Sequence, residues 1–317
     1  MRPTFSIICF TVLSGIGYGA WFLIGLGVAV GPLCSAPGAR CAIPFDSFAG
    51  WPVAFACVSV GLLCSLGHLG KPARAWRALS QWRSSWLSRE GVFALVTFVP
   101  ALALIVLSHA DGLARLSGAL LALGSLATVY CTANIYASLK PVRAWRDRHV
   151  MPAYLLLGLY GGSLLLHAAA TLSGSPWRPE RFVLLSGTIV LAAICGWVKQ
   201  GYWRSIDAQP PVTPGRATGL EALGAVRAFE APHTEENYLL HEMGFVLARK
   251  HARKLRAIAL VAAFLVPAAF AALALALPAA STAAACIACA SGIAGLVVER
   301  WLFFAEAKHA VTAYYQR

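Results

Sequence analysis

The segment GLLCSLGHLGKPARAWRALSQWRSSWLSREG, Gly61–Gly91, decides how the chain is read. It leaves one apolar run, crosses a stretch with five Lys or Arg and three Trp, and meets an acid, Glu90, where the next apolar run begins. Apolar runs separated by basic, Trp-marked connections belong to a chain that threads a membrane repeatedly. The rest of the composition agrees. Of 317 residues, 59% are hydrophobic and only 12% charged, with a mean hydropathy of +0.68. That is too little charge to cover the surface of a soluble domain of this length.

Eight apolar segments can be marked: Phe5–Val30, Trp51–Leu66, Gly91–Ser108, Leu116–Leu139, Met151–Leu172, Phe182–Val198, Ile258–Leu277 and Ala283–Phe304. As helices they cross roughly 30 Å of hydrocarbon, the second only marginally. The alternating strands of a membrane β-barrel are not seen. The first run outlasts the ~7–15 apolar residues of a cleavable signal, so it reads as a permanent span. The expected fold is an all-α polytopic bundle of eight transmembrane helices. Residues 1–198 form a six-helix region, 199–257 a connecting loop, and 258–317 the last two spans with a short tail.

The formal charge of +13 raises a nucleic-acid partner, but its placement argues otherwise. Of 26 Lys and Arg, 22 fall on one side of this topology; only Arg40, Arg115, Arg178 and Arg181 fall on the other. By the positive-inside rule both termini and the three basic loops are cytoplasmic, and no nucleic acid is expected.

The segment Lys71–Arg77, KPARAWR, returns as KPVRAWR at Lys140–Arg146, suggesting duplicated helix pairs. Both copies read first as membrane anchors, with Trp at the headgroups and Arg or Lys snorkelling. The second copy lacks the Gly-His-Leu-Gly around His68, so anchoring does not account for that histidine. Along 74–88 a helical wheel puts Trp76, Leu79, Trp82 and Trp86 on one face and Arg74, Arg77, Gln81, Ser84 and Ser88 on the other. That predicts an amphipathic helix lying on the membrane, with Arg83 alone on the wrong side. In the 199–257 loop a Pro- and Gly-rich linker precedes a helix opening near Thr234, which either docks a partner or lies on anionic lipid. The loop is too short for a catalytic domain.

Nine cysteines form no metal set. Cys286 and Cys289 have CxxC spacing but sit inside an apolar segment without a second pair. Cys34 and Cys41 share a polar loop and could pair on an oxidising side. Only His109 and His167 lie at matching depth for a bis-histidine haem, so no haem is expected.

Ionisable groups are scarce in the middles of the spans and gather at helix ends: His68, Glu90, Glu299 and Arg300. A pore or transporter would place them near the midplane. A site at the membrane boundary suits a lipophilic redox ligand, and a quinol fits. It needs hydrogen-bonding partners for two oxygens and a group to take its protons, which histidine and a boundary carboxylate provide. Either His68 and Glu90 meet across a folded-back loop, or each caps its own helix. The candidate quinol-binding residues are His68, Glu90, Arg83 and Trp76. Candidates for partner docking are Arg74, Arg77, His241 and Glu242.

Four strings carry a resemblance: HLGKPARAWRALSQWRSSWLSREG (68–91), YCTANIYASLKPVRAWR (130–146), NYLLHEMGFVLARKHARKLR (237–256) and ERWLFFAEAKHAVTAYYQ (299–316). The chain resembles the membrane anchor subunit of the dimethyl sulfoxide reductase family along nearly its whole length. The resemblance implies an eight-helix, haem-free subunit of a bacterial inner membrane that oxidises menaquinol or ubiquinol and passes electrons to a four-cluster iron–sulfur subunit. A molybdopterin catalytic subunit then reduces the terminal acceptor. It implies a quinol site at a His and a Glu flanking the loop after the second span, matching His68 and Glu90. The partners would bring the metal centres. The 199–257 loop looks longer than the family minimum. An anchor for a polysulfide or nitrite reductase, and at greater distance a small-solute transporter, remain as alternatives.

Overall fold

The computed structural model describes residues 3–30, 47–67, 69–107, 111–174, 179–210, 213–227, 229–230 and 251–310. His68, Cys34, Cys41, His109, His241 and Glu242 therefore lie outside the described residues. Within them the chain is an all-α membrane bundle. Its helices are α1 (Phe5–Val30), α2 (Ser47–Leu66), α3 (Trp86–Val96), α4 (Phe98–Val106), α5 (Asp111–Ala137), α6 (Val150–Leu172) and α7 (Pro179–Asp207). They continue with the short α8 (Pro214–Thr218), then α9 (Ala252–Leu260), α10 (Val266–Ala276) and α11 (Ser281–Ala305). Seven apolar helical stretches of 21 to 28 residues are long enough to cross a bilayer, two of them bent, and α2 supplies a shorter one.

Each bend has a proline behind it. Pro100 has no N–H for the Val96 carbonyl, and the span Trp86–Val106 breaks at Thr97, between α3 and α4. Pro267 likewise leaves the Ala263 carbonyl without its helical donor. There the chain loosens into a π turn, Val261–Leu265, between α9 and α10. The buried Tyr160 hydroxyl of α6 donates to the Ala263 carbonyl, and Ser291 Oγ of α11 donates to the neighbouring Ala262 carbonyl at 2.8 Å. The bend is thus held by two other helices.

Helix α1 runs through the middle and packs against α2, α5, α6 and α11. Lipid is as apolar as leucine, so helices in a bilayer gain by close approach through small residues rather than by burying apolar surface. Glycine supplies that approach here. A Cβ on Gly19 would collide with the Gly158 carbonyl, so α1 and α6 touch backbone to backbone. The apolar face of α3–α4, including Leu95, Val99, Leu102 and Val106, is exposed and suits contact with lipid.

The segment expected as an amphipathic α-helix forms a 3₁₀ helix over Pro72–Gln81. Three residues per turn put Arg74, Arg77 and Ser80 in one row and Trp76, Leu79 and Trp82 in another. Arg83, out of place on a 3.6-residue wheel, lies past the end of this helix, in the turn that leads to α3. Trp86 belongs to α3 instead. The segment rests on α3 through Leu79 beside Gly91 and through a hydrogen bond from Ser88 Oγ to the Ala78 carbonyl.

The two KPxRAWR copies part company. Trp76 is 66% exposed, with Arg77 lying 5.5 Å from its ring centre. Trp145 is 3% exposed and donates from Nε1 to the Phe303 carbonyl at 3.0 Å. Val142 bridges to His309, and the Ala310 N–H reaches the Pro141 carbonyl at 2.9 Å. The second copy is therefore a clasp on the end of α11 and not a second membrane anchor. The difference lies in the surroundings, since the end of α11 covers the 138–149 turn while, among the described residues, the 72–81 segment packs mainly on α3.

Candidate functional site

Polar and charged groups collect at one end of the bundle, where α1, α3, α6 and α9 begin and α2, α5, α7 and α11 end. Glu90, Thr132, Tyr154, Lys199, Glu299 and Arg300 lie one to two turns inside it, about 6 to 12 Å from the helix ends by a rise of 1.5 Å per residue. The same end is tied together outside the spans. Arg256 pairs through both terminal nitrogens with Asp207, at 2.6 and 2.9 Å, and through Nε with Glu306 at 2.9 Å. These bonds join α9 to the ends of α7 and α11. Ser205 and His149 both donate to Asp147, His149 from its backbone N–H at 2.9 Å and with Nδ1 at 2.6 Å from the carboxylate. Burial pushes the Asp147 carboxyl up, but those hydrogen bonds outweigh it and hold the group below the usual carboxylate range.

Glu90 is 5% exposed. It points into the bundle from the first turns of α3 and accepts a 2.5 Å hydrogen bond from Thr132 of α5. Beside it the Tyr18 hydroxyl of α1 donates to the Ala94 carbonyl at 3.3 Å. Of the other quinol candidates, Trp76 and Arg83 are exposed on the 72–83 surface, and no ion pair joins Arg83 to Glu90 among the described residues. The Arg83 guanidinium lies 5.7 Å from the Trp82 ring centre, and its carbonyl accepts from Arg89 at 2.6 Å. Arg74 and Arg77, the described docking candidates, are exposed on the same surface.

The sequence reading starts a loop at Lys199, but α7 continues through it to Asp207. The side chain is 2% exposed and its Nζ lies 2.6 Å from Glu299 Oε1 of α11. It also lies 4.1 Å from the Tyr202 ring centre and 5.2 Å from that of Trp203. Glu299 Oε2 stands 3.4 Å from Arg300 Nη2, and the Arg300 guanidinium stacks 4.1 Å from the Tyr154 ring centre. A lysine, a glutamate and an arginine thus sit together inside the bundle. The sequence carries a signal for this: Lys199, Tyr202, Trp203 and Ile206 recur at the i, i+3, i+4, i+7 spacing of one helix face.

Between these groups runs a crevice of about 30 Å³, lined from α1 by Ser14, Gly15 and Tyr18, from α5 by Thr132, from α6 by Tyr154, and from α11 by Glu299 and Arg300. At the opposite end of the bundle His167 is 2% exposed, and neither ring nitrogen has a hydrogen-bond partner among the described residues. Among the described residues no three His, Cys, Asp or Glu are grouped as metal ligands would be.

Comparison with known proteins agrees with this architecture. The chain is 30% identical to a sulfite dehydrogenase subunit of Allochromatium vinosum over 340 aligned positions, covering 100% of this chain and 99% of that one. No solved structure gives a significant match. The family model described as DMSO reductase anchor subunit (DmsC) matches residues 1–305. An all-helical membrane bundle with its polar groups gathered at one end, and a family match over nearly its whole length, make this chain a member of the DMSO reductase anchor subunit family, which anchors molybdoenzymes to the membrane.

Proposed function

We propose that this anchor exchanges electrons with the quinone pool at the end of the bundle where Glu90 lies, oxidising quinol for an iron–sulfur subunit and a molybdopterin catalytic subunit. The observation that carries the reading is Glu90, a carboxylate held inside the membrane domain near its boundary and bonded, among the described residues, to a hydroxyl and to no cation. Intramembrane carboxylates are costly and tend to mark function. A quinol that gives up two electrons also releases two protons. Glu90 takes the proton from one hydroxyl oxygen, and His68, one loop away in sequence, serves the other. The electrons go to the partner's metal centres, so the reaction needs no redox group in this chain. The excess of Lys and Arg at this end supports a cytoplasmic position for it and for both termini.

The likeness to a sulfite dehydrogenase subunit favours a second reading, in which electrons arrive from sulfite and the same site reduces quinone to quinol. Glu90 then gives its proton to the quinone oxygen and takes one back. Both readings require Glu90 at the quinone. In the assembled complex, Glu90→Gln should weaken binding of a fluorescent quinol-analogue inhibitor about tenfold or more. Unchanged inhibitor affinity would remove Glu90 from the site. Which substrate, dimethyl sulfoxide or sulfite, drives turnover in membranes then fixes the direction.

A further inference from the structure

We propose that the crevice between α1, α5, α6 and α11 holds water and conducts protons between Glu90 and the buried Glu299–Lys199–Arg300 cluster. The proposal rests on the reading of Glu90 as the group that exchanges protons with quinol.

Size comes first. Sites that enclose organic ligands measure roughly 300 Å³ or more. The crevice is about 30 Å³, too small for a quinone ring. Water needs only roughly 10–15 Å³ of such space and two to four polar partners. Those partners are present. Thr132, Glu299 and Arg300 all line the crevice. Glu299 Oε2, on a side chain only 1% exposed, accepts no hydrogen bond among the described residues. A buried carboxylate oxygen facing a polar, water-sized gap is a site for an ordered water.

The order of groups then makes a path. The Thr132 hydroxyl bonds to Glu90 on one side and lines the crevice on the other, and its proton can turn between Glu90 Oε1 at 2.5 Å and the Thr128 carbonyl at 3.1 Å. A hydroxyl that donates to a carboxylate and accepts from water passes a proton without moving its heavy atoms. Past the crevice, Glu299 meets Lys199, and α7 and α11 run on to Asp207 and Glu306, which Arg256 bridges. Asp207 is 61% exposed at its side chain, so the series ends in solvent. No bond to carbon forms or breaks along the path. For each quinol oxidised, two electrons leave to the iron–sulfur partner, and the proton that Glu90 takes travels by this route to the solvent.

The test uses the assembled membrane complex with a reduced naphthoquinone analogue as substrate and a fluorescent quinol-analogue inhibitor as binding probe. Gly15→Val fills the crevice, because a Cβ there meets no other atom within 4 Å. Thr132→Val keeps shape and removes the hydroxyl, and Glu299→Gln removes the charge. Each should leave inhibitor affinity within about twofold, lower turnover about tenfold or more, and raise the solvent deuterium isotope effect. Glu90→Gln is the control for the quinol site. If it weakens inhibitor binding while Gly15→Val and Thr132→Val turn over at the wild-type rate, the conduit is overturned and the quinol site stands. Weakened inhibitor binding in Gly15→Val would make the crevice part of the ring site and would also overturn the conduit. Unchanged inhibitor affinity in Glu90→Gln overturns both. Should Glu299→Gln fail to assemble, the Gly15 and Thr132 variants decide.

Discussion

Removing Lys199 and removing the Glu299 charge should have unequal consequences, although the two are partners. The carboxylate serves two cations, Lys199 Nζ at 2.6 Å and Arg300 Nη2 at 3.4 Å. At an effective dielectric constant of about 20 those separations correspond to about 6 and about 5 kcal/mol of attraction. Lys199→Met loses the larger attraction but also removes a buried ammonium, whose desolvation costs several kcal/mol, and leaves Glu299 balanced by Arg300. Its net cost should be about 1 to 3 kcal/mol. Glu299→Gln loses both attractions and leaves two cations side by side, so it should cost about 3 to 5 kcal/mol. The double variant should be no less stable than Glu299→Gln alone, because deleting Lys199 then relieves repulsion. Thermal denaturation of the purified complex, followed by helical circular dichroism, reads all three. Equal losses, or a larger loss for Lys199→Met, would refute the idea that one carboxylate holds both cations.

The remaining predictions concern the ties outside the spans. Trp145→Phe should destabilise the protein by about 1 kcal/mol, since it removes the bond to the Phe303 carbonyl. Trp76→Phe, at the matching position of the repeat, should leave the melting temperature unchanged in the same assay. Asp147 has a depressed folded-state pKa, so its contribution is fully present above the unfolded carboxylate value near 3.9 and is lost as pH falls through the lower folded value. Asp147→Asn should therefore lower stability at neutral pH and flatten the acid limb of a stability–pH curve. A variant curve parallel to wild type would refute that assignment.

Much of the fold is legible in the sequence because it follows from one periodic property. Long apolar runs become spans, prolines bend them at Thr97 and at the π turn, and basic loops share one end. The family strings likewise point to the anchor family that the whole-chain match bears out. What is not legible depends on partners distant in sequence. A charge usually ends a span, so Lys199 reads as loop, yet Glu299 on α11 makes its burial tolerable. Thr132 carries no distinguishing mark in sequence and matters only because Glu90 faces it. The KPxRAWR copies are nearly identical strings in unlike places, because coverage by α11 is a property of the neighbourhood and not of the motif. Arg83 misleads for a narrower reason: the wheel runs one helix over 74–88, where the backbone ends its helix at Gln81 and turns before α3.

The central position of α1 has a consequence for how the protein is made. It enters the bilayer before α5, α6 and α11, yet its glycines fit closely against α5 and α6, and α11, which also packs on it, begins only at Ser281. During synthesis at roughly 5–20 residues per second, α1 waits many seconds in lipid for the surface that completes it. Until α11 arrives, the crevice has no fourth wall and Lys199 has no counter-charge. A nascent chain stalled before α11 would carry an unpaired lysine within the membrane, a mark by which quality-control proteases can recognise an unfinished subunit.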